Sequence, residues 1–462
     1  MTVAGLYTFQ DDEMDHELVK AQIASFVSTP NQKRSRQIIV QGVSALDRPY
    51  WKDDEKFSIE NHFRVVNLKD TSKKELLEQV SIIHSSEFDK SKPRWEAVWL
   101  QGGRKPAMLL RAHHSISDGQ GFVRGLLTFV ASLDPNVDIA SLQYSAGRAV
   151  TESKIDAEKS SNNKSAKAAN NNSQKKKPST FQNFFLYCMK IFFFIYGTYL
   201  ALKNFLKLLF FRRKSMQKNQ ISRSKQVGWS TEVSLDSVKL VKNVFGVSVN
   251  DVLVSALAGA LETFLISKKE LKDNSFWFMI PTSLRNPADW SVSNQSTVYC
   301  LNIPIAGSDH KKRLGSLNKK MKSLKSSSEP IWANIFQSLS MRYPNLVPQL
   351  ALDYSIGKNF AAVVTNVPGP AENIKWAGKK IEEIVALIPQ AYSNSLGCAI
   401  YTYAGKVTIS IMMDEILNDS CFDKGAAQEI AELFDSNFNE MLEMALAKKV
   451  NGDEIKSHIK SD

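Results

Sequence analysis

RAHHSISDGQGF, at residues 111–122, sets two of the chain's seven histidines side by side and follows them with Asp118 and Gly119. The apolar run KPAMLLRAHH leads into the pair and a glycine-containing turn stops it, so the pair stands where a strand gives way to a loop. Imidazole titrates near neutrality and can take a proton from an alcohol or thiol and return it. Successive strand residues face opposite sides of a sheet, so the two rings cannot share one task; one faces a cleft and the other packs. A carboxylate is too weak a base at neutral pH, and Asp118 is read as locking the loop through an ion pair or hydrogen bonds. Gly119 permits a tight turn and close substrate approach. Neighbouring strand residues cannot ligate one ion together, and the sequence nearby offers no third His or Cys, so no metal is expected.

Outward from this stretch, residues 1–150 read as mixed α/β. KFSIENHFRVVNL reads as a strand with Phe57, Ile59 and Phe63 alternating, and KKELLEQVSIIHSSEF has helical spacing. WEAVWLQGG and KPAMLLRAHH read as two strands about a Gly-rich turn, and GFVRGLLTFVASL as a helix. From about Gln226 the pattern resumes. VGWSTEVSL is a strand candidate, Ser234 or Asp236 is placed to cap a helix ending at Gly246, and SVNDVLVSALAGALETFLISKK reads as a buried helix. FWFMIPTSLR, NQSTVYCLNIPI and FAAVVTNVPGP read as strands, with helices over 311–325 and 330–342. A hairpin about Ala404-Gly405 and a helix over 422–448 close the chain.

With 462 residues, 43% of them apolar and 23% charged, the chain is long enough for two domains and largely globular. Its first residues lack the apolar core of a signal peptide. Cys188, Cys300, Cys398 and Cys421 are scattered, which suits a reducing compartment. The net charge of +12 has one source: residues 151–225 carry 16 Lys and Arg against 3 Asp and Glu. That charge flanks a greasy run, 181–211, whose uncharged core spans only Ile191–Leu202, where a bilayer span needs roughly 20 residues. Basic flanks beside apolar sequence favour a membrane surface over nucleic acid. The expected division is an N-terminal domain over 1–150, a basic linker and membrane-associated segment over 151–225, and a C-terminal domain over 226–462.

HHSISDG resembles the HHxxxDG signature of CoA-dependent acyltransferases, a superfamily that includes chloramphenicol acetyltransferases and peptide-synthetase condensation domains. Further blocks resemble one branch, the wax ester synthase/acyl-CoA:diacylglycerol acyltransferases: YWKDDEKFSIENHFR, KPRWEAVWLQGG, SVNDVLVSALAGAL, PTSLRNP and TNVPGP, in family order from about residue 50 to 415. Arg94 stands where the family has Leu, and Asn294-Gln295 where it has Gly-Asn before a strand. The 151–225 insert is longer and greasier than in soluble bacterial members.

The resemblance implies two chloramphenicol-acetyltransferase-like α/β domains with mixed sheets and a cleft or tunnel between them. It implies an O-acyltransferase that moves a fatty acyl group from acyl-CoA to a long-chain alcohol or diacylglycerol, without a cofactor. His114 is then the general base, His113 a neighbouring or packing residue, and Asp118 a structural group paired with Arg285. An Arg285 exposed in its turn is the alternative. Asn250 is either a donor near the site, beside Asp251, or the cap of its helix. TNVPGP either shapes the cleft or simply ends a strand. Because both domains would build one site, the 181–211 run is expected to lie on or dip into the bilayer, with both domains facing the cytosol at the endoplasmic reticulum or a lipid droplet. A different HHxxxDG enzyme, an alcohol acetyltransferase or condensation type, and a non-catalytic lipid binder of the same fold are the competing readings.

Overall fold

The computed structural model describes residues 2–10, 14–42, 47, 49–134, 192, 195, 199, 224–283, 285, 289, 294–307, 309–325, 361–388, 396–414 and 423–461. The chain runs β1 (Thr2–Phe9), α1 (His16–Val27), β2 (Gln37–Val40), β3 (Tyr50–Asp53), β4 (Phe63–Asn67), α2 (Lys73–Ser85), β5 (Trp95–Gln101), β6 (Ala107–His113) and α3 (Gly119–Leu133). It resumes with β7 (Lys225–Trp229), β8 (Val233–Ser234), α4 (Leu235–Phe245), α5 (Val249–Ser267), β9 (Ser275–Ser283), β10 (Ser296–Pro304) and α6 (His310–Lys325). The last described elements are β11 (Ala362–Pro368), β12 (Lys375–Trp376), β13 (Lys379–Leu387), β14 (Leu396–Tyr403), β15 (Lys406–Asp414) and α7 (Ala426–Ser461).

Two mixed sheets organise these elements. The first has the order β12-β13-β1-β6-β5-β4 and the second β10-β9-β11-β14-β15-β7, with β8 paired to β15. The α/β class with mixed sheets expected from the sequence is what the structure has. The segment 226–462, read as one C-terminal domain, also supplies β12 and β13 to the first sheet, where β13 lies antiparallel to β1.

Local chemistry explains most boundaries. Ser234 caps α4 and Gly246 ends it in the left-handed conformation. Ala404 and Gly405 both have positive φ, which is the two-residue turn that matches strand twist between β14 and β15. One expectation holds only in part: the strand read over 56–68 begins at Phe63, and 57–62 are not strand. A 3₁₀ turn, Ile59–Asn61, precedes β4, and His62 lies buried between the Phe57 and Trp95 rings with Nδ1 2.7 Å from the Trp95 carbonyl. Burying that ring between two aromatics forces the chain out of the strand path. The 330–342 helix, the 151–180 linker, Cys188 and Cys421 lie outside the described residues. So does the 181–211 run except for Phe192, Ile195 and Tyr199, three exposed helical positions.

The core joins the sheets. α4, α5, α6 and α7 cover one face of the second sheet, and α5 is almost wholly buried. It is long and apolar enough to cross a membrane, yet here it is the centre of a core. α1 and α3 cover one face of the first sheet. On the other face, α2 and β7 share a core with β1, β5, β6 and β13. β7 is an edge strand, and α2 satisfies its outer backbone. Val227 N–H donates to Ser81 Oγ (3.1 Å) and Lys225 N–H to Ser85 Oγ (2.9 Å). Four helical residues rise about 6 Å and two strand residues about 6.6 Å, so the serines meet alternate amides.

Tyr403, at the end of β14, reaches into the first sheet: its hydroxyl accepts the Ile374 N–H (3.0 Å) and donates to the Ile381 carbonyl (2.8 Å). Tyr403→Phe strands both buried backbone groups, and each orphan costs about 1–3 kcal/mol. The urea midpoint of this variant is expected to fall with the slope unchanged, measured by circular dichroism on the purified chain.

Candidate active site at the 113–119 turn

β6 ends at His113, which lies opposite Thr2 of β1. The His113 N–H donates to the Arg94 carbonyl (2.8 Å), and the His113 carbonyl accepts the Ile116 N–H (2.9 Å), closing a tight turn. His114 is therefore the first residue of the turn and not the last of the strand. The two imidazoles are separated by the strand-to-turn change as well as by the strand's pleat.

Their environments differ. His113 Nδ1 accepts the Ser115 backbone N–H (3.2 Å), and Ser115 Oγ lies 2.7 Å from the same nitrogen. An amide can only donate, so Nδ1 is unprotonated and the ring proton sits on Nε2. Burial, then the positive amino terminus and Arg94, push His113 down to about 4. Burial also holds His114 below the ordinary imidazole range, opposed by its own backbone carbonyl, by Asp118 and by Asn294. A half-buried His114 is thus neutral at pH 7, the state in which an imidazole can accept a proton.

Asp118 is 4% exposed and ties three segments together. As N-cap of α3 its Oδ1 accepts the Gly121 N–H at 2.8 Å, and its Oδ2 accepts the Gln295 N–H at 2.6 Å. Arg285, whose side chain is 1% exposed, sets its guanidinium 3.5 Å from Asp118 Oδ1 and 3.7 Å from Asp289 Oδ2. The alternative of an exposed Arg285 is therefore excluded. Hydrogen bonds to a charged group contribute about 1.5–3 kcal/mol each, whereas a buried ion pair nets little against desolvation. The two short amide bonds and the helix end hold the carboxylate, and the long Arg285 contact balances its charge.

Gly119 opens α3 beneath β11, where a β-carbon at 119 would stand 3.3 Å from Val367 Cγ2. The TNVPGP segment thus packs directly on the turn. β11 pairs with β9 only at Ala362–Phe278 and Val363–Met279, and beyond these pairs the two strands part. The turn meets Val367 of β11 at Gly119 and Gln295, just before β10, at Asp118.

Asn250 joins this region at one remove: its Oδ1 accepts the Asn366 Nδ2–H at 3.3 Å, next to Val367. It is not the helix cap. Ser248 caps α5, in a reciprocal box in which Asp251 Oδ2 accepts the Ser248 N–H (2.9 Å). The Asp251 carboxylate stays at that helix end, so its first work is structural. Its Oδ1, with Ser255 Oγ and Thr297 Oγ1, is buried without a hydrogen-bond partner among the described residues.

Sequence reasoning did not assign Asn294, Gln295, Asp289 or Arg124. The Asn294 Nδ2–H donates to the His114 carbonyl (2.6 Å), Gln295 bonds both Asp118 and Asp289, and Arg124 donates to the Asp289 carbonyl. The available signal was the Asn294-Gln295 step, visible only as a departure from a family pattern.

Comparison with known proteins agrees with this geometry. Residues 1–253 match the wax ester synthase/diacylglycerol acyltransferase catalytic domain, and residues 292–441 match the C-terminal domain of the same family. The chain is 24% identical over 444 residues to an O-acyltransferase WSD of Acinetobacter baylyi, covering 89% of this chain and 88% of that one. It is 24% identical over 427 residues to a probable diacylglycerol O-acyltransferase of Mycobacterium tuberculosis, covering 89% of each. In fold it is similar to a wax ester synthase/diacylglycerol acyltransferase from Marinobacter aquaeolei, with a TM-score of 0.62, 19% identity and coverage of 96% of this chain and 95% of that one. It is also similar to the starter condensation domain of rhizomide synthetase, with a TM-score of 0.55, 11% identity and coverage of 96% and 89%. With its HHSISDG turn, its paired mixed sheets and both domain matches in order along the sequence, the chain belongs to the wax ester synthase/diacylglycerol acyltransferase family and is an acyltransferase.

Proposed function

We propose that the chain moves a fatty acyl group from acyl-CoA to the hydroxyl of a long-chain alcohol or diacylglycerol, with His114 as general base. The observation that carries this reading is a half-buried imidazole, held below the ordinary imidazole range, whose backbone carbonyl is bonded by Asn294 from the other half of the chain. A condensation domain of the same fold was solved with C8-CoA, which supports acyl-CoA as donor. The acceptor hydroxyl loses its proton to His114 as its oxygen attacks the thioester carbon. The tetrahedral oxyanion collapses, the C–S bond breaks, and the imidazolium returns the proton to the CoA thiolate. The acyl group leaves as an ester, and no cofactor or covalent acyl-enzyme enters this route. Base catalysis of this kind contributes roughly 10²–10⁴-fold; the remainder comes from positioning and oxyanion stabilisation. Asn250, whose Oδ1 accepts the Asn366 Nδ2–H, is the proposed positioning donor through its own amide group. Asp118 with Arg285 serves structure.

Both halves of the chain meet at this turn, so a single bilayer crossing between them would separate the parts of one site. The 181–211 run is accordingly proposed to lie on the membrane surface or dip in and return, presenting that site to water-insoluble acceptors. The endoplasmic reticulum or a lipid droplet, with the catalytic halves in the cytosol, is the proposed location. Flotation with anionic phosphatidylserine vesicles is expected to carry the full chain upward and to weaken in high salt. Retention of the chain in the bottom fraction at low salt would refute this assignment.

With purified protein, acyl-CoA and either hexadecanol or dioleoylglycerol, ester formation is expected by thin-layer chromatography. His114→Ala is expected to lose roughly 10²–10⁴-fold in turnover with its fold intact; a binder of the same fold would form no ester in either form. The base works deprotonated and its pKa is lowered, so kcat/KM should hold through pH 7 and fall only below the ordinary imidazole value of about 6.5. Asp118→Ala leaves the Arg285 charge buried and removes the α3 cap, and is expected to cost about 3–5 kcal/mol in urea denaturation.

A further inference from the structure

We propose that Asn294 is a positioning residue for His114, its carboxamide holding the base-bearing turn from the loop before β10. The Asn294 Nδ2–H donates to the His114 backbone carbonyl at 2.6 Å, across 180 residues of sequence. Its neighbour Gln295 is fixed in turn, because the Gln295 N–H donates to buried Asp118 at 2.6 Å. Two successive residues of one loop therefore grip the turn at two points, the carbonyl of the histidine and the carboxylate four residues on. The distance between those points on the turn is set by the loop.

The chemistry follows from the groups involved. The His114 backbone carbonyl favours the charged form of its own ring, against the burial that disfavours it. Asn294 donates to that same carbonyl, and its side chain also favours the charged ring. The loop thus fixes where the residue that bears the imidazole stands. The other charges that act on the ring are Asp118, which favours the imidazolium, and the amino terminus, which opposes it; His113 sits beside it and Arg285 lies behind Asp118. Asn294 is exposed, so replacing it leaves the core untouched.

This inference rests on His114 being the base, and the experiment separates the two. Full-length protein carrying Asn294→Ala, Asn294→Asp or His114→Ala is assayed with acyl-CoA and hexadecanol from pH 5 to 9, with a thermal melt for each. For Asn294→Ala the expected result is a fall in kcat of up to about 10²-fold, the size of effect that follows from a misplaced catalytic group. The KM for acyl-CoA should change little and the acid limb of kcat/KM should move to lower pH, because a contact that favours imidazolium is gone. Asn294→Asp puts a negative charge in its place and should move the acid limb to higher pH. If both variants melt like wild type and keep its kcat and acid limb while His114→Ala is inactive, the role of Asn294 is overturned and the base stands. A drop in kcat without any movement of the limb also overturns it, since a purely structural contact would do the same. An active His114→Ala removes the base and this inference with it.

Discussion

A buried carboxylate must have its charge answered, and how Asp118 is answered organises this molecule. One oxygen takes an unpaired amide in the first turn of α3, the other takes an amide from the loop before β10, and the Arg285 guanidinium lies just beyond. A strand exit, a helix start and a loop from the far half of the sequence are thereby brought to one point. Remove the carboxylate and the helix loses its cap, the loop loses its anchor and a buried guanidinium loses the nearer of its two carboxylates. The histidine four residues earlier has a defined place because of these bonds.

The two sheets supply the frame for that point. β11 and β14 start in the core of the second sheet and end against the first, where Val367, Tyr401 and Tyr403 join the other core. β13 completes the first sheet beside β1, and α2 closes the edge of the second by lending serine hydroxyls to β7. The halves are interlocked by exchanged strands rather than merely touching. Such a weld allows β9 and β11 to stop pairing beyond Met279 and Val363 without the sheet coming undone.

Much of this was legible in the residues. Patterning marked most strands and helices of the C-terminal half, the Ala404-Gly405 hairpin and the caps of α4, because those depend on neighbours a few residues apart. The HHSISDG turn stood out because it breaks an apolar strand with residues that no core needs. The Asp118–Arg285 proximity followed from likeness to a family, and the coordinates add its distance and burial. Other features were out of reach. Phe57, Ile59 and Phe63 alternate like a strand, yet the stacking of His62 between two aromatics bends that segment away. Asn250 could be read as a donor or as a cap, and Ser248 takes the cap because its partner Asp251 stands three residues on.

The sequence by itself determined the local elements, the HHSISDG turn and the family, since each is written in spacing and residue type along a short window. Only the tertiary structure decided that β13 belongs with β1, that Val367 sits on Gly119 and that Asn294 grips the carbonyl of His114. Those contacts join residues far apart in the chain, and nothing in either partner's own surroundings specifies the other. Burial chooses them: a carboxylate, a carbonyl and an amide excluded from water must find one another, and the packing of two whole sheets dictates which ones are within reach.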